Sequence, residues 1–100
     1  MKLILRKAKQ KGKTVNCRTI EYVVELLRTG SLQEASRFCN VTPGTMSGQI
    51  TRLEHYLGVT LFTSRSTPAQ LNPEAEAIVA RMQQVVEHMR EIRRISRGMA

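Results

Sequence analysis

Two short segments of this chain each contain a residue that ends one helix and, directly after it, a residue that begins the next. The spacing of these two segments constrains the fold more than any other feature. Gly30-Ser31 joins a residue that favours a left-handed helix end to one that caps the next helix. Asn40-Val41 forms a tight connection to Thr42-Pro43, where threonine can cap and proline suits the first helical position. Gly58 closes that helix. A short helix, a tight turn and a longer helix predict a helix-turn-helix.

Apolar residues recur at helical spacing in each of three segments, so each predicted helix has a face to bury. In the first segment, which Thr19 is expected to cap, they are Ile20, Val23, Val24 and Leu27. In the third they are Met46, Ile50, Leu53 and Leu57. The short helix between them begins with a capping box, in which Ser31 and Glu34 satisfy each other's backbone N–H groups. That helix is expected to bury Leu32, Ala35 and either Cys39 or Phe38.

After the third helix the pattern changes from helical to strand-like. Val59–Thr63 is rich in residues that favour strands, and the segment from Ser64 to Ala69 has the composition of a turn. Gln70-Leu71 can return as a short partner strand. These segments predict a two-stranded β-wing.

A long helix is predicted next, capped by Asn72 with Pro73 at its first position and reaching about Ser96. Its apolar residues alternate steps of three and four, like the a and d positions of a coiled coil. One interpretation is that this stripe packs on the domain's own core. A helix of about 35 Å, at 1.5 Å per residue, outruns so small a domain, however. We therefore favour a homodimer through Ile78, Met82, Val85, Met89 and Ile92.

Basic residues are concentrated at the N-terminal end of the chain. There are 16 Lys and Arg residues against 8 Asp and Glu, and residues 1–18 hold seven of the basic residues and none of the acidic ones. We divide the chain into a basic arm at 1–17, a winged helix-turn-helix domain at 18–72 and a linker helix with a tail at 73–100. Such an arm favours a nucleic-acid partner over a merely solvated tail. Its candidate phosphate contacts are Lys7, Lys9, Lys11 and Lys13.

Other classes of protein are excluded by what the sequence lacks. The longest apolar run, Leu3-Ile4-Leu5, is too short for a transmembrane helix or a signal-peptide core, so we expect no membrane partner. Cys17 and Cys39 are far apart and no histidines cluster, so we expect no metal site, no cofactor and a reduced compartment. No nucleophile–base constellation or phosphate-binding loop is present, so we do not expect an enzyme.

A run of short motifs continues without a gap from the first helix through the wing. Its members include Gly30-Ser31-Leu32, Ala35, Val41-Thr42, Ser47, Ile50, Leu53-Glu54, Leu57-Gly58 and Leu61-Phe62. This pattern resembles the N-terminal DNA-binding domain of LysR-type transcriptional regulators. The resemblance implies a mainly α winged helix-turn-helix, a linker helix that pairs antiparallel in a dimer, double-stranded DNA as the partner, and a cytoplasmic location at the bacterial nucleoid.

Several positions depart from the family pattern. Thr42-Pro43-Gly44-Thr45 replaces the usual Ser-Gln-Pro-Ala, and Gly48 replaces a larger, often basic residue. The usual wing arginine falls on Ser64, with Arg65 one position late. The chain ends after the linker helix, so we expect no effector-binding domain and no inducer site.

The third helix has a distinctive outward face. Stepping 100° per residue from the buried Met46 points Gly44, Gly48 and Thr51 away from the core. A recognition helix offers such a face to the major groove. Outside the arm, the candidate DNA contacts are Ser31, Thr42, Pro43, Gly44, Thr45, Ser47, Gly48, Thr51, Arg52 and Arg65.

Two functions stay open at this point. The favoured one is a dimeric transcriptional regulator that binds duplex DNA through the helix at 42–57, the wing and the arm. The alternative is a protein-interaction module on a repurposed fold, which would pair with itself or with a full-length relative. The arm's charge favours the first function, whereas the missing basic side chain at Gly48 favours the second.

Overall fold

The computed structural model describes residues 16–99, which form a mainly α winged helix-turn-helix and confirm the predicted fold class. In this part of the chain, helix α1 spans Cys17–Thr29, α2 Leu32–Cys39, α3 Pro43–Leu57 and α4 Glu76–Met99. Strands β1 (Phe62–Ser64) and β2 (Gln70–Leu71) form the antiparallel wing, and a 3-10 turn at Pro73–Ala75 leads into α4. The predicted arm contacts Lys7, Lys9, Lys11 and Lys13 lie outside the described residues.

Helix α1 begins earlier than the sequence predicts, because Asn16 rather than Thr19 caps it. The Asn16 side-chain oxygen accepts hydrogen bonds from the Thr19 backbone N–H at 2.9 Å and from its hydroxyl at 3.2 Å. Thr19 lies in the first turn and is buried. The prediction that Thr19 is the cap is therefore wrong: asparagine three residues upstream offers the acceptor that the free N–H group needs.

The turns around α2 use the predicted residues with one change. Ser31 accepts a hydrogen bond from the Glu34 N–H at 3.2 Å, as in a capping box. The Ser31 N–H, however, donates to the Thr29 hydroxyl at 3.3 Å, so the return half of the box comes from α1. Asn40 adopts the left-handed conformation with φ 65°, and Thr42 caps α3 by accepting from the Thr45 N–H at 3.1 Å. These contacts set the tight turn between α2 and α3.

The core is aliphatic and lies between the three domain helices, the wing and the first half of α4. Its buried residues include Val23, Leu26, Ala35, Met46, Ile50, Leu53, Leu61, Phe62, Val79 and Met82. Cys39 packs against this cluster, whereas Phe38 is 62% exposed with the Arg28 guanidinium 4.8 Å from its ring centre. Of the two candidates for burial at the end of α2, Cys39 is therefore the one that packs. Leu57, at 37% exposed, ends the apolar face of α3.

Helix α4 is fixed to α1 by apolar packing and by one buried carboxylate. Val79 and Val86 are almost completely buried. Glu25 of α1 is fully buried, and its two oxygens accept from Arg28 at 2.6 Å and from Arg90 of α4 at 3.1 Å. Both arginines are about half exposed, so their charges stay partly hydrated while the carboxylate is satisfied. The ion pair between Glu25 and Arg90 therefore helps to set the position of α4 along the axis of α1.

The cap at Asn16 gives a direct test of where the domain starts. We expect Asn16→Ala to lower the free energy of unfolding by about 1 kcal/mol, because the Thr19 N–H loses its acceptor. Urea denaturation measures this. Asn16→Asp is the matched control, since aspartate is an equally good cap, and it should keep the stability of the parent. Equal stability of all three chains would show that α1 begins elsewhere.

Candidate nucleic-acid interface

Helix α3 divides lengthwise into a buried face and an open one. Met46, Ile50 and Leu53 are buried in the core. Gly44 and Gly48 are exposed, as the helical stepping predicts, and so are Arg52 and His55. Thr51, which the same stepping points away from the core, is instead half-buried. Because the wing follows directly after α3, the open face of this helix lies beside a second exposed element.

The first turn of α3 is exposed and its backbone is only partly satisfied. Thr42, Pro43, Gly44 and Thr45 are all exposed. The Thr42 hydroxyl accepts from the Thr45 N–H and donates to the Thr45 hydroxyl at 2.9 Å, so the two side chains hold each other. Pro43 has no N–H, which leaves the Gly44 N–H as an open donor in the first turn. A helix end of this kind favours an anion such as a phosphate.

Gly44 and Gly48 have no packing role within the described part of the chain. A Cβ atom built on either residue meets no atom within 4 Å, and neither has a positive φ. An alanine would therefore fit both positions and favour the helix by about 1 kcal/mol each. What the glycines provide is a bare strip of backbone on the open face of α3.

Arg65 is the predicted DNA-binding residue whose placement most changes the site. It follows β1, and its side chain turns back onto α3 rather than outward. One Nη donates to the Ser47 carbonyl oxygen at 2.9 Å, to the Ser47 hydroxyl at 2.8 Å and to the Thr51 hydroxyl at 2.9 Å. The other donates to a carboxylate oxygen of Glu54 at 2.6 Å. The structure thus brings together three predicted DNA contacts, Ser47, Thr51 and Arg65. Their polar groups are hydrogen-bonded to one another.

Glu54 is a residue of this site that the sequence does not single out as a candidate. Its second carboxylate oxygen accepts from the backbone N–H groups of Leu61, at 2.7 Å, and Phe62, at 3.4 Å. A signal is nevertheless present in the sequence, because Ser47, Thr51 and Glu54 are spaced four and three residues apart. That spacing places three polar side chains in one line along a helix.

Among the described residues, Arg52 and Arg37 are the cations of this surface that have no intramolecular partner. Arg52 is exposed on the open face of α3. Arg37, in the last turn of α2, is not among the predicted DNA-binding residues. It lines an open groove of about 620 Å³ that runs past the start of α3, together with Gln33, Ser36, Asn40, Val41, Thr42 and Pro43. Ser31, at the start of α2, is half-buried and already accepts a hydrogen bond from Glu34.

Of the five predicted dimer residues, one lies in the domain's own core. Met82 is 6% exposed and belongs to the buried cluster, so it has little surface to offer a partner, and its assignment to the dimer seam is corrected. Ile78 is half-buried against the same core. Val85 and Met89 are half-buried, and Ile92 is 65% exposed. One side of the apolar stripe on α4 thus packs against the core of its own domain. The other side leaves Val85, Met89 and Ile92 accessible.

The remaining features of residues 16–99 concern metal ligands, membrane-spanning helices and the Cys39 thiol. Within this range, no three His, Cys, Asp or Glu side chains are grouped so that they could hold a metal ion. No helix there is long and apolar enough to cross a membrane. Burial raises the pKa of the Cys39 thiol, which disfavours the reactive thiolate and agrees with its packing role.

Comparisons with known proteins agree with this geometry. Residues 17–76 match the family described as bacterial regulatory helix-turn-helix protein, lysR family. EstR, an HTH-type transcriptional regulator of Acinetobacter baylyi, is 35% identical over 83 residues, which are 83% of this chain and 28% of that protein. A full-length OxyR variant from Pseudomonas aeruginosa superposes with a TM-score of 0.75 at 29% identity, covering 85% of this chain and 29% of that one.

The fold also matches a domain that has been solved on DNA. The BenM DNA-binding domain in complex with benA site 1 DNA superposes with a TM-score of 0.73, covering 86% of this chain and 100% of that one. At 21% identity, this likeness shows the fold alone. The chain spans less than a third of the EstR and OxyR chains that it matches.

Proposed function

The chain belongs to the lysR family of bacterial regulatory helix-turn-helix proteins, and we propose that it regulates transcription by binding duplex DNA as a homodimer. The observation that carries this proposal is the open face of α3, which no described residue covers and which stands beside the wing. In a helix-turn-helix, the second helix of the motif enters the major groove. The solved complex of the BenM domain with DNA supports the same use of this fold. DNA of a bacterial cell lies in the nucleoid, so we place the protein in the cytoplasm.

Helix α3 would read and hold DNA with few side chains. Arg52, exposed and without an intramolecular partner among the described residues, can contact guanine or a phosphate. The Gly44 N–H and the Thr45 hydroxyl, at the start of α3, can hold one phosphate. Arg37 lies beside the same helix end and would add a cation there. Gly48, which has no side chain, adds no base contact of its own on this face.

The dimer would pair the accessible faces of two α4 helices. Val85, Met89 and Ile92 supply the apolar contacts, with Ile78 contributing its exposed edge. Ile95 and Met99, at 51% and 81% exposed, extend the same apolar surface toward the end of the helix. Pairing would bury side chains that otherwise stay in water, and it would present two α3 helices to two half-sites. A related regulator with a similar linker helix could supply the second chain.

The basic arm would add affinity but no sequence preference. Residues 16–99 hold ten Arg against eight Glu, so most of the net charge of +8 lies before Asn16. Lys7, Lys9, Lys11 and Lys13 can each neutralise a phosphate and release a counterion. The alternative function, a protein-interaction module without DNA, is not favoured by the family membership.

Selection of duplexes from a randomised pool by the purified chain tests the proposal. A dimer with two α3 helices should enrich a motif with dyad symmetry, whose half-sites lie about one helical turn apart or a multiple of it. A pool that never converges would count against sequence-specific regulation. The selection is run at about 150 mM salt, because low salt lets the arm bind any duplex.

Gly48 offers a further test of how α3 meets DNA. We expect Gly48→Arg to strengthen binding to unselected duplex and to steepen its salt dependence by about 0.9 log units for each additional phosphate that is neutralised, since a Cβ there meets no atom of the chain. Fluorescence anisotropy over a salt series measures both quantities. Gly48→Ala is the control for the added Cβ atom without the charge, and it should leave the affinity unchanged. Ala80→Arg is the control for the charge, which it places on the exposed side of α4. Loss of binding with both Gly48 variants would instead mean that DNA approaches the helix backbone too closely for any side chain.

A further inference from the structure

We propose that Arg65 is a positioning residue that locks the wing at a fixed angle to α3, and that it does not contact DNA. This inference deepens the proposed function and rests on it. The sequence alone predicts the opposite role, because an arginine at the end of a wing strand is well placed to reach a phosphate. The contacts of the Arg65 guanidinium decide between the two roles.

Both Nη groups of the Arg65 guanidinium are hydrogen-bonded to residues of α3. One Nη has three acceptors on α3, two from Ser47 and one from Thr51, and the other Nη contacts Glu54. The Arg65 side chain is 21% exposed and that of Glu54 is 12% exposed, so this pair is far less hydrated than a surface ion pair. These hydrogen bonds hold both Nη groups against α3, and the partial burial strengthens them.

The carboxylate of Glu54 holds both ends of β1. One oxygen of Glu54 accepts from the N–H groups of Leu61 and Phe62, where the strand begins. The other oxygen accepts from Arg65, which follows the last residue of the strand. Strand β1 is only three residues long, and β2 is shorter still, so their own ladder can hold the wing only weakly. We call the contacts of Glu54 and Arg65 that join α3 to β1 the clamp. The clamp fixes the orientation of the wing, which the two-stranded sheet cannot do alone.

The two strands of the wing pair irregularly. Phe62 pairs with Leu71 and Ser64 pairs with Gln70, so β1 has one extra residue, Thr63, between the two pairs. A β-bulge of this kind bends its strand and redirects the side chains that follow. Here it accompanies an arginine that follows Ser64 and points back to α3. The wing and the recognition helix are thereby tied into one rigid DNA-facing unit.

Salt dependence of DNA binding separates positioning from phosphate contact. If Arg65 positions the wing, Arg65→Ala and Arg65→Lys should each weaken binding to the selected duplex about tenfold, since lysine keeps the charge but cannot satisfy Ser47, Thr51 and Glu54 together. Neither variant should change the salt slope. If Arg65 neutralises a phosphate instead, Arg65→Ala should lower the slope by about 0.9 for each phosphate left without its cation, and Arg65→Lys should keep it. That result would overturn the proposal.

A double variant tests whether Glu54 acts through Arg65. Arg65→Ala combined with Glu54→Gln restores the net charge of the parent. Its binding should match that of the weaker single variant, because both changes open the same clamp. Multiplied effects of the two changes would contradict a shared role. Arg94→Ala is the matched control for charge, since Arg94 is exposed, contacts only Glu91 among the described residues, and should not alter binding.

Amide hydrogen exchange of the free protein gives a readout without DNA. The N–H groups of Leu61 and Phe62 should exchange at least about tenfold faster in Arg65→Ala and Arg65→Lys than in the parent or in Arg94→Ala. Unchanged exchange would overturn the clamp even if DNA binding were lost. Faster exchange in a chain that binds no duplex would keep the clamp and reject the proposed function, so the two failures are distinguishable.

Discussion

The double substitution Val85→Glu and Ile92→Glu is expected to convert the dimer into monomers and to weaken DNA binding at least about a hundredfold. Each dimer would bring four new carboxylates into an apolar interface, where charges cannot be left unpaired without a large penalty. A monomer then lacks the second α3 helix and the gain in effective concentration that two linked sites provide, about 10²- to 10⁴-fold. Light scattering measures the mass, and anisotropy with the selected duplex measures the affinity.

The positions in this experiment follow from the burial along α4. Ile78 is left unchanged because it packs partly against the domain's own core, where a carboxylate would unfold the protein. Ala80→Glu with Gln83→Glu is the matched control, since both residues are exposed and lie on the opposite side of the helix from Val85. The control should remain dimeric and bind normally. A double variant at Val85 and Ile92 that keeps the mass of two chains would reject the α4 interface.

Deletion of residues 1–15 is the second change with a large expected effect. This segment holds Lys2, Arg6, Lys7, Lys9, Lys11 and Lys13, and the cut keeps Asn16, which caps α1. For each phosphate that the arm no longer neutralises, the dependence of log affinity on log salt should flatten by about 0.9, and a dimer lacks two arms. We therefore expect affinity at low salt to fall at least about a hundredfold, while the preference for the selected motif persists.

A full-length control separates charge from chain length in the arm. Replacing Lys7, Lys9, Lys11 and Lys13 by glutamine should reproduce most of the effect of the deletion, and replacing them by arginine should preserve the affinity and the slope. Equal salt slopes for the parent, the deletion and the glutamine variant would show that the arm neutralises no phosphates.

The elements that the sequence predicts well are those set by local signals. The cap at Thr42, the glycine stop at Gly58 and the long period of α4 all depend on residues within a few positions of one another. Asn72 and Pro73, which the sequence predicts at the start of the long helix, instead begin the 3-10 turn before it, and α4 starts at Glu76. The first cap is misplaced because Asn16 and Thr19 are both good capping residues, and hydrophobic periodicity does not choose between them. Such errors shift a boundary and leave the fold unchanged.

Interactions between distant residues account for most of what the sequence does not predict. Arg65 and Ser47 are 18 positions apart, and Arg90 and Glu25 are 65 positions apart, so no local sequence pattern predicts either contact. The apolar stripe on α4 is wide enough for two neighbouring faces, and its spacing does not say which face meets the domain itself. The sequence assigns Met82 to a partner for this reason, although it belongs to the core.

The central claim, that this chain is a sequence-specific DNA-binding dimer, is tested most directly by one affinity ratio. The dissociation constant of the complete chain is measured at about 150 mM salt for the duplex recovered by selection and for a duplex of the same length and composition with scrambled order. Specific protein–DNA complexes are about 10³- to 10⁷-fold tighter than nonspecific ones, so we expect a ratio of at least about 10³. A ratio near one, with both affinities falling together as salt rises, would show that the chain binds DNA only through its charge and would contradict the account.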